Sequence, residues 1–378
     1  MKTAKILFVV TEDWYFRSHR LPLAVAAAEN GYEVGVVTRL TGYKQTIEGA
    51  GVRTIPLLRL KRSSLNLFRE LAAFFELFFI FRRERPDLVH LVALKPVLYG
   101  SLAAKLLGIP SRVNALGGLG FAFSSERLLA RLLRPLLLLM FRFVFNDPRS
   151  RLILQNQDDL RLLIEQARID SSWVRLIRGA GVDVNDYVPH DLPAGVPVVM
   201  LASRMLWDKG VGEFVQAAIT MKAKGIDARF VLVGEPDTEN PSSIPREQLN
   251  EWHATGVVEW WGYCADMPAA LSESTIFCLP TYYGEGVPKV LIEAMACGRP
   301  IVTTDMPGCK DLVVGRKNGL LVKPRDSEGL AEGLSELLLD RSLCQRMGLE
   351  GRRIAEKKFS IKQVIEETLT IYGELLNA

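Results

Sequence analysis

Two glutamates eight residues apart give the strongest chemical signal in this sequence. Glu285 and Glu293 lie in the segment GEGVPKVLIEAMACG, residues 284–298, which follows a strand-like apolar run. Pro288 suits the first position of a helix, and Gly298 suits the residue just beyond its end. The segment therefore predicts a helix with one carboxylate in the loop before it and one two turns along. Such a pair can reach opposite ends of a ligand lying across the helix.

The start of that helix is a predicted anion site. Its first backbone N–H groups have no partner within the helix, and they lie at the positive end of the helix dipole, so they can hold a diphosphate at Gly286–Pro288. The spacing also allows a plainer interpretation, in which Glu293 pairs with Lys289 one turn before it and Glu285 is a solvated loop residue.

Two cations form a second candidate group. In VVMLASRMLWDKG, residues 198–210, a strand-like run ends before Arg204 and Lys209, and a helix-like stretch follows. Ligands of open α/β sheets bind at the carboxyl ends of the strands. There the two side chains would neutralise a diphosphate, Arg204 by its fork and Lys209 as a point charge. Taken alone, the segment fits a solvated surface pair better than a ligand site.

The elements that must position these residues alternate between strand-like and helix-like runs. Short apolar runs such as 5–10, 87–92, 197–202 and 275–280 are separated by amphipathic stretches, which is typical of parallel sheets covered on both faces. A chain of 378 residues is long enough for two domains. The fold class predicted is α/β, with two doubly wound domains joined near 183–197.

The two halves differ in charge. Residues 1–190 carry a net charge of +10 and residues 191–378 one of −6, which points to an anionic partner for the first half. The five cysteines lack metal-site spacing and indicate free thiols in a reducing compartment. The apolar run at the N-terminus is too short for a signal peptide. The sequence has no stretch of 18 uncharged apolar residues, so no membrane-spanning helix is expected.

The anionic partner is expected to be a membrane surface. In 71–83 and 128–143, Leu, Phe and Arg recur at helical spacing, as in helices that lie in a membrane interface with Arg reaching lipid phosphates. A buried helix with Arg at its edge is the alternative. Nucleic acid is disfavoured, because the basic residues are packed among aliphatic ones and no binding module is recognised.

Together these segments resemble family 4 of the retaining glycosyltransferases. The pair Glu285 and Glu293 with AMACGRPIV after it, and SRML with Lys209, carry the resemblance, which is nearly continuous over 197–322 and looser in the first half. The likeness is closest to bacterial enzymes that extend lipid-linked sugars for O-antigen, capsule or glycoprotein glycans. It implies a GT-B fold, in which two Rossmann-like domains face a deep cleft.

The resemblance also implies an organisation and a reaction. Residues 1–188 would form an acceptor-binding, membrane-associating domain and 189–358 a donor-binding domain, with 359–378 as a helix crossing back. The reaction implied is retaining, metal-independent transfer of an N-acetylhexosamine or hexose from a UDP-sugar to a polyprenyl-diphosphate-linked saccharide. No cofactor and no metal site are expected. The location expected is the cytoplasm, peripheral on the inner face of the cell membrane.

Residue roles follow from the same likeness. Arg204 and Lys209 would hold the donor diphosphate, and Glu285 would lie by the donor sugar; these three are the catalytic candidates. The remaining donor-binding candidates are Glu293 at the ribose and the loop residues Gly117, Gly118, Gly262, Tyr263, Gly286, Val287 and Pro288.

One departure concerns the Gly-rich segment NALGGLG, residues 114–120. Many relatives carry a His in this loop that contacts the donor sugar, and here there is none. His19 lies just after the first strand-like run and His90 is expected to end another, so both are candidates for a contact with the sugar or the acceptor. For His90 a structural, hydrogen-bonded role stays equally open.

Three other interpretations compete with a glycosyltransferase. A non-hydrolysing sugar-nucleotide epimerase would share the architecture without needing a membrane-seeking first half. A catalytically silent scaffold should lack one of Arg204, Lys209, Glu285 or Glu293, and this chain keeps all four. A nicotinamide enzyme is disfavoured because TEDWY, not a glycine fingerprint, follows the first strand.

Overall fold

The chain folds into two α/β units, each built on a parallel sheet. The structure is a computed structural model that describes residues 3–62, 66–120, 123 and 128–377. Residues 181–360 form one unit, and the residues before 181 form the other together with those from 361 onward. The chain therefore leaves the first unit and returns to it at its C-terminus.

Seven strands of the described residues form the sheet of unit 1, in the order β3-β2-β1-β4-β5-β6-β7. Their apolar runs are buried along most of their length, as expected of strands covered on both faces. The strands are β1 (Lys5–Glu12), β2 (Glu33–Arg39), β3 (Arg53–Pro56), β4 (Leu88–Val92), β5 (Ser111–Ala115), β6 (Ser150–Leu154) and β7 (Val174–Leu176). The helices between them are α1 (Asp13–His19), α2 (Leu21–Glu29), α3 (Lys44–Gly49), α4 (Leu67–Glu84), α5 (Leu94–Leu106), α6 (Leu128–Phe145) and α7 (Gln157–Ala167).

Unit 2 repeats this scheme with six strands of the described chain, in the order β10-β9-β8-β11-β12-β13. The strands are β8 (Val198–Ala202), β9 (Arg229–Val233), β10 (Glu259–Gly262), β11 (Ile276–Leu279), β12 (Ile301–Thr304) and β13 (Gly319–Val322). The helices are α8 (Val211–Ala223), α9 (Arg246–Ala254), α10 (Met267–Ser272), α11 (Lys289–Ala296), α12 (Ser327–Leu339) and α13 (Arg341–Lys358). Both sheets are doubly wound, as the sequence predicted.

The last helix, α14 (Ile361–Leu376), packs into the core of unit 1. Its apolar face buries Val364, Ile371 and Tyr372 against β1 and its neighbours. Ser111 Oγ at the start of β5 donates a hydrogen bond to the carbonyl of Leu375, 2.9 Å away. Burial of these side chains makes the C-terminal helix part of unit 1 rather than of unit 2, which precedes it in the chain.

Local details differ from the sequence interpretation in three places. The amphipathic stretch 18–30, which by itself predicts one helix, begins at the end of α1 and continues as α2, and the two helices are separated at Arg20. Pro288 is the residue before α11, with extended ψ of 115°, rather than its first helical residue. Gly298 does follow the end of that helix, with φ of +70°, as predicted. The short apolar runs of the sequence did not include six of the strands: β3, β5, β6, β7, β10 and β13.

His90 lies in the middle of β4, opposite Phe8 of β1, and not at a strand end. Its ring stacks on Phe8 at 4.8 Å, and its Nδ1 is hydrogen-bonded to Tyr372 Oη at 2.5 Å. The side chain is completely buried. This geometry fits the structural role that the sequence left open for His90, because a fully buried ring presents no atom to a sugar.

His90 should make the stability of the protein depend on pH. Burial, and then the charge of Arg20, lower the pKa of His90 well below 6.5, so the folded protein keeps the ring neutral. The unfolded chain binds this proton at about 6.5. The contribution of neutral His90 is therefore present above that pH, and it is lost as pH falls toward the lowered folded pKa.

We expect the His90 share of the free energy of unfolding to fall by about 1.4 kcal/mol per pH unit below 6.5. Urea titrations at three pH values between 7.5 and 5.5 measure the slope in the wild type and in His90→Phe, which should lose this share. Tyr372→Phe keeps the buried imidazole, so its slope should match that of the wild type while its stability falls at every pH. Equal slopes in wild type and His90→Phe would contradict the prediction.

Candidate functional site

The order of strands in unit 2 predicts where a ligand binds. Connections run in opposite directions from the neighbouring strands β8 and β11, and a crevice for ligands opens at the carboxyl ends of strands at such a switch point. Arg204 and Lys209 follow β8, and Glu285 follows β11. The three catalytic candidates are therefore on the loops that leave the two strands at the switch point.

Lys209 and Glu285 form an ion pair between these two loops. The Lys209 Nζ atom is hydrogen-bonded to Glu285 Oε1, although the residues are 76 positions apart. Their side chains are 14% and 18% exposed, so the pair is largely shielded from water. The solvated-loop alternative for Glu285 is therefore not what the structure shows.

The backbone around Asp208 keeps the two loops together. The carbonyl oxygen of Asp208 accepts hydrogen bonds from Thr281 Oγ1 at 2.9 Å and from the N–H of Tyr282 at 3.1 Å. Gly210, with φ of +76°, approaches so closely that a Cβ there would lie 2.1 Å from the carbonyl oxygen of Pro280. A glycine is thus required for the contact that sets Lys209 beside Glu285.

Arg204 has a different partner. Its Nη1 donates to Asp237 Oδ2 at 2.6 Å, and its side chain is 40% exposed. The loop that carries Asp237 follows β9 and is held by a hydrogen bond from the N–H of Met205 to the carbonyl of Glu235, 3.0 Å long. A Cβ on Gly234 would lie 1.9 Å from the carbonyl oxygen of Ser203, so this approach also needs a glycine.

The segment Gly286–Pro288 lies at the N-terminus of α11, as predicted, and is buried. The loop after β12 packs directly onto it. Gly308 has φ of +79°, and a Cβ there would lie 1.3 Å from the carbonyl oxygen of Gly286. The backbone that would hold a diphosphate is therefore fixed by a neighbouring loop.

Glu293 lies inside α11 and is nearly buried, with its side chain 9% exposed. Its Oε1 accepts from Lys289 Nζ at 2.7 Å, so the pairing expected one turn apart does form. The same oxygen also accepts from Tyr187 Oη at 2.8 Å. Burial, and then the Glu293 carboxylate, raise the pKa of Tyr187 well above its usual range, so the phenol remains a proton donor.

The loop that carries the donor-binding candidates Gly262 and Tyr263 lies at the far side of the same sheet edge. Gly262 ends β10 with φ of +68°, and its carbonyl accepts from the N–H of Gly234 at 2.7 Å. Tyr263, the next residue, is 64% exposed. The loops after β8, β9 and β10 are thus linked by backbone contacts, and the Tyr263 ring is open to stack on a ligand.

In unit 1 the structure brings His19 and the Gly-rich loop to one cluster through Tyr15. The His19 ring stacks on Tyr15 with centroids 4.1 Å apart, and Ser18 Oγ lies 2.6 Å from His19 Nδ1. A Cβ on Gly117 would lie 3.7 Å from Tyr15 Oη. Gly118 is next in the loop, with φ of +101°. His19 is the last residue of α1, one helix beyond the strand it was expected to follow.

Two residues of these contacts were not expected from the sequence. Asp237 and Tyr187 hold Arg204 and Glu293, over separations of 33 and 106 positions. Nothing in the local pattern of either residue indicates such a partner, since the pairing depends on the order of strands and on the chain between the units.

Comparisons with known proteins identify the family of the chain. The family described as "Glycosyl transferase 4-like" matches residues 5–157, and the one described as "Glycosyl transferases group 1" matches 196–340. The N,N'-diacetylbacillosaminyl-diphospho-undecaprenol alpha-1,3-N-acetylgalactosaminyltransferase of Campylobacter jejuni is 30% identical over 337 residues, 86% of each chain. The chain therefore belongs to the glycosyltransferase family that these two matches and this relative represent. The enzyme class that the sequence predicted is thereby confirmed, and the epimerase and scaffold alternatives are not favoured.

Further relatives of this glycosyltransferase cover most of its length. The Escherichia coli UDP-Gal:alpha-D-GlcNAc-diphosphoundecaprenol alpha-1,3-galactosyltransferase is 24% identical over 323 residues, 80% of each chain. Two solved structures share the fold of this chain. A glycosyltransferase from Rickettsia africae has a TM-score of 0.78 at 18% identity, covering 100% of this chain and 99% of its own. HepE of Anabaena, solved with UDP and glucose, has a TM-score of 0.77 at 18% identity, covering 98% and 99%. The predicted GT-B fold class is confirmed.

Proposed function

We propose that this glycosyltransferase moves an N-acetylhexosamine or hexose, with retention, from a UDP-sugar to a polyprenyl-diphosphate-linked saccharide. The names of the Campylobacter jejuni and Escherichia coli relatives, which describe sugar transfer to diphospho-undecaprenol-linked sugars, support this substrate class. Unit 2 would bind the donor and unit 1 the acceptor. The product would serve bacterial surface polysaccharide or glycan synthesis.

The observation that carries the proposal is the Lys209–Glu285 pair at the switch point of unit 2. Breaking the bond between the sugar carbon and the diphosphate builds negative charge on the leaving group. Lys209, Arg204 and the N-terminus of α11 would stabilise that charge, and preorganised electrostatic stabilisation of this kind usually lowers the barrier more than any other single effect. These groups would take the place of a metal ion, so no metal cofactor is proposed.

The other contacts of the donor are proposed from the same arrangement. Glu285 would lie by the donor sugar, where its negative charge favours the positive charge that develops on the ring. Backbone N–H groups of Gly286 and Val287, just before Pro288, would bind the sugar and the diphosphate, and Glu293 the ribose. Gly262 and Tyr263 would bind the base. Gly117 and Gly118 are donor-binding candidates from the family resemblance, and His19 is the remaining histidine candidate for a sugar contact.

The test is UDP release from a panel of UDP-sugars, with and without a polyprenyl-diphosphate-linked sugar, in the presence of EDTA. We expect release that requires the lipid-linked acceptor, persists in EDTA and is lost in Glu285→Ala. Retention is read from the anomeric configuration of the isolated product. Conversion of a UDP-sugar without UDP release would contradict the proposal, as would transfer that stops in EDTA and resumes with Mg²⁺.

Exposed apolar residues on two helices of unit 1 support a membrane-facing role for that unit. On α4, Phe68, Phe75 and Phe79 are 82%, 51% and 60% exposed. On α6, the exposed residues recur every three or four positions along one face: Leu132, Leu136, Leu139 and Phe143. The buried faces of both helices join the same core, with α5 packed between them.

We propose that these two apolar faces lie in the interface of an anionic membrane, on its cytoplasmic side. Exposed Arg131 and Arg142 on α6 would reach lipid phosphates while the apolar side chains enter the acyl boundary. Among the described residues, no helix is long and apolar enough to cross a membrane. The acceptor would then be taken from the same surface.

Leu136→Glu with Leu139→Glu should lower the partition onto vesicles that contain phosphatidylglycerol by about tenfold or more. The change removes apolar burial worth roughly 1.5–3 kcal/mol for each leucine that is fully buried, and it adds negative charge. Leu339→Glu and Leu349→Glu on unit 2, where both leucines are also exposed, are matched controls and should bind as the wild type does. Cosedimentation measures both. Equal loss in the two double variants, or no loss in either, would argue against this surface.

A further inference from the structure

Glu293 presents one open oxygen in an otherwise enclosed site. Its Oε1 is occupied by Tyr187 Oη at 2.8 Å and Lys289 Nζ at 2.7 Å. Its other oxygen, Oε2, has no hydrogen-bond partner among the residues that the structure describes. A nearly buried carboxylate normally has its acceptor sites filled, so an open oxygen is available to a ligand that brings its own donors.

Tyr187 is itself held in place by the backbone of unit 2. Arg352 on α13 donates from Nη1 to the carbonyl of Tyr187 at 2.5 Å and to the carbonyl of Ala296 at 2.8 Å, which ties the Tyr187 segment to the end of α11. The N–H of Tyr187 also donates to the carbonyl of Asp183, 3.4 Å away. The phenol therefore reaches Glu293 from a fixed backbone rather than from a loose loop.

We infer that Tyr187 is a positioning residue for the donor, which fixes the Glu293 carboxylate so that Oε2 accepts from the ribose hydroxyls. A lysine one turn away restrains a carboxylate weakly, because its stem is flexible. A second donor on the same oxygen, from a rigid ring on another segment, defines the rotamer. The inference rests on the proposed function, because it takes the ligand to be a nucleoside diphosphate.

The experiment compares the binding of UDP with that of 2′,3′-dideoxy-UDP by calorimetry, in the wild type and in Tyr187→Phe. The wild type should bind UDP more tightly than the dideoxy ligand. Tyr187→Phe should weaken UDP binding by roughly five- to tenfold, which is less than the full worth of a hydrogen bond to a charged group because Lys289 still restrains Glu293, and should leave dideoxy-UDP binding unchanged. With the sugar donor, KM should rise and kcat should stay within about twofold.

Two further variants separate positioning from folding. Glu293→Gln should reduce the preference for UDP, and adding Tyr187→Phe to it should cause no further loss, because residues that act through one another are not additive. Tyr32→Phe removes a phenol oxygen in unit 1 and should change neither affinity.

The outcomes distinguish the two levels of the argument. If Tyr187→Phe weakens both ligands equally, or neither, Tyr187 does not position Glu293, whereas the proposed function stands. If the wild type fails to bind UDP, or binds both ligands equally, the assignment of this site to a UDP-sugar fails first, and the positioning role fails with it.

Discussion

Lys209→Met should reduce kcat/KM for sugar transfer by about 10²–10³-fold, with the larger part of the loss in kcat. Removing one preorganised group that stabilises the charge of a transition state has an effect of this size. Lys209 is the cation that the structure sets beside Glu285, on the loop after β8, where the leaving diphosphate is proposed to lie. Its charge is needed most when the bond to the sugar is broken, so KM should change less than kcat.

The substitution has a second consequence, because it leaves Glu285 without this partner in a site where the carboxylate is only 18% exposed. A carboxylate that has lost this cation would repel the incoming diphosphate more strongly. Glu285→Gln in the Lys209→Met background should therefore restore part of the donor affinity, though not the rate. Such a double variant differs from the sum of the single ones when the two groups act as a unit.

Steady-state UDP release and calorimetric UDP binding measure these effects. Lys222→Met, which removes an exposed lysine of α8, is the matched control and should behave as the wild type. Activity of Lys209→Met within about threefold of the wild type would show that the leaving diphosphate is stabilised elsewhere.

The features that could be predicted from the sequence are those encoded by residues that lie close together in the chain. The segment that contains Glu285 and α11 was readable because strand, loop and helix follow one another within a short stretch. The end of α11 at Gly298 depends on a local conformation that favours glycine, and it was predicted correctly. The two doubly wound sheets followed from alternation of apolar runs and amphipathic stretches.

The partners of the site residues were not readable in the same way. Arg204 pairs with Asp237, and Glu293 with Tyr187, because the order of strands brings separate loops to one sheet edge. The residues next to His90 in the sequence did not show whether its role is structural or functional. The strand that carries it continues for two residues, and the partner of its ring comes from α14, 282 positions away.

Three glycines in the loops at the carboxyl ends of the strands of unit 2 were also not distinguishable from the sequence, and they allow a direct test. Gly234, Gly210 and Gly308 each approach another backbone so closely that a Cβ would overlap a carbonyl oxygen. Sequence alone cannot separate them from glycines such as Gly225, which also has positive φ but has nothing within 4 Å of a Cβ. All four glycines have a positive φ, which other residues disfavour. At Gly210, Gly234 and Gly308 a Cβ would also overlap a neighbouring backbone atom.

Gly308→Ala should therefore lower the free energy of unfolding by about 4 kcal/mol or more, whereas Gly225→Ala should lower it by about 1–2 kcal/mol. The cost of Gly225→Ala comes only from placing a side chain at positive φ. Gly308→Ala must in addition move the carbonyl of Gly286, because its Cβ would lie 1.3 Å from that oxygen. Urea titration compares the two variants directly.

The same displacement should reach the proposed donor site, since the Gly286 backbone begins the segment that leads into α11. Where Gly308→Ala remains folded, we expect UDP binding to weaken by about tenfold or more, because misplaced backbone amides lose hydrogen bonds to a charged group. Gly225→Ala should bind UDP as the wild type does. A folded Gly308→Ala with wild-type affinity would mean that Gly286–Pro288 does not hold the diphosphate, and the anion site would then have to lie at Arg204 and Lys209 alone.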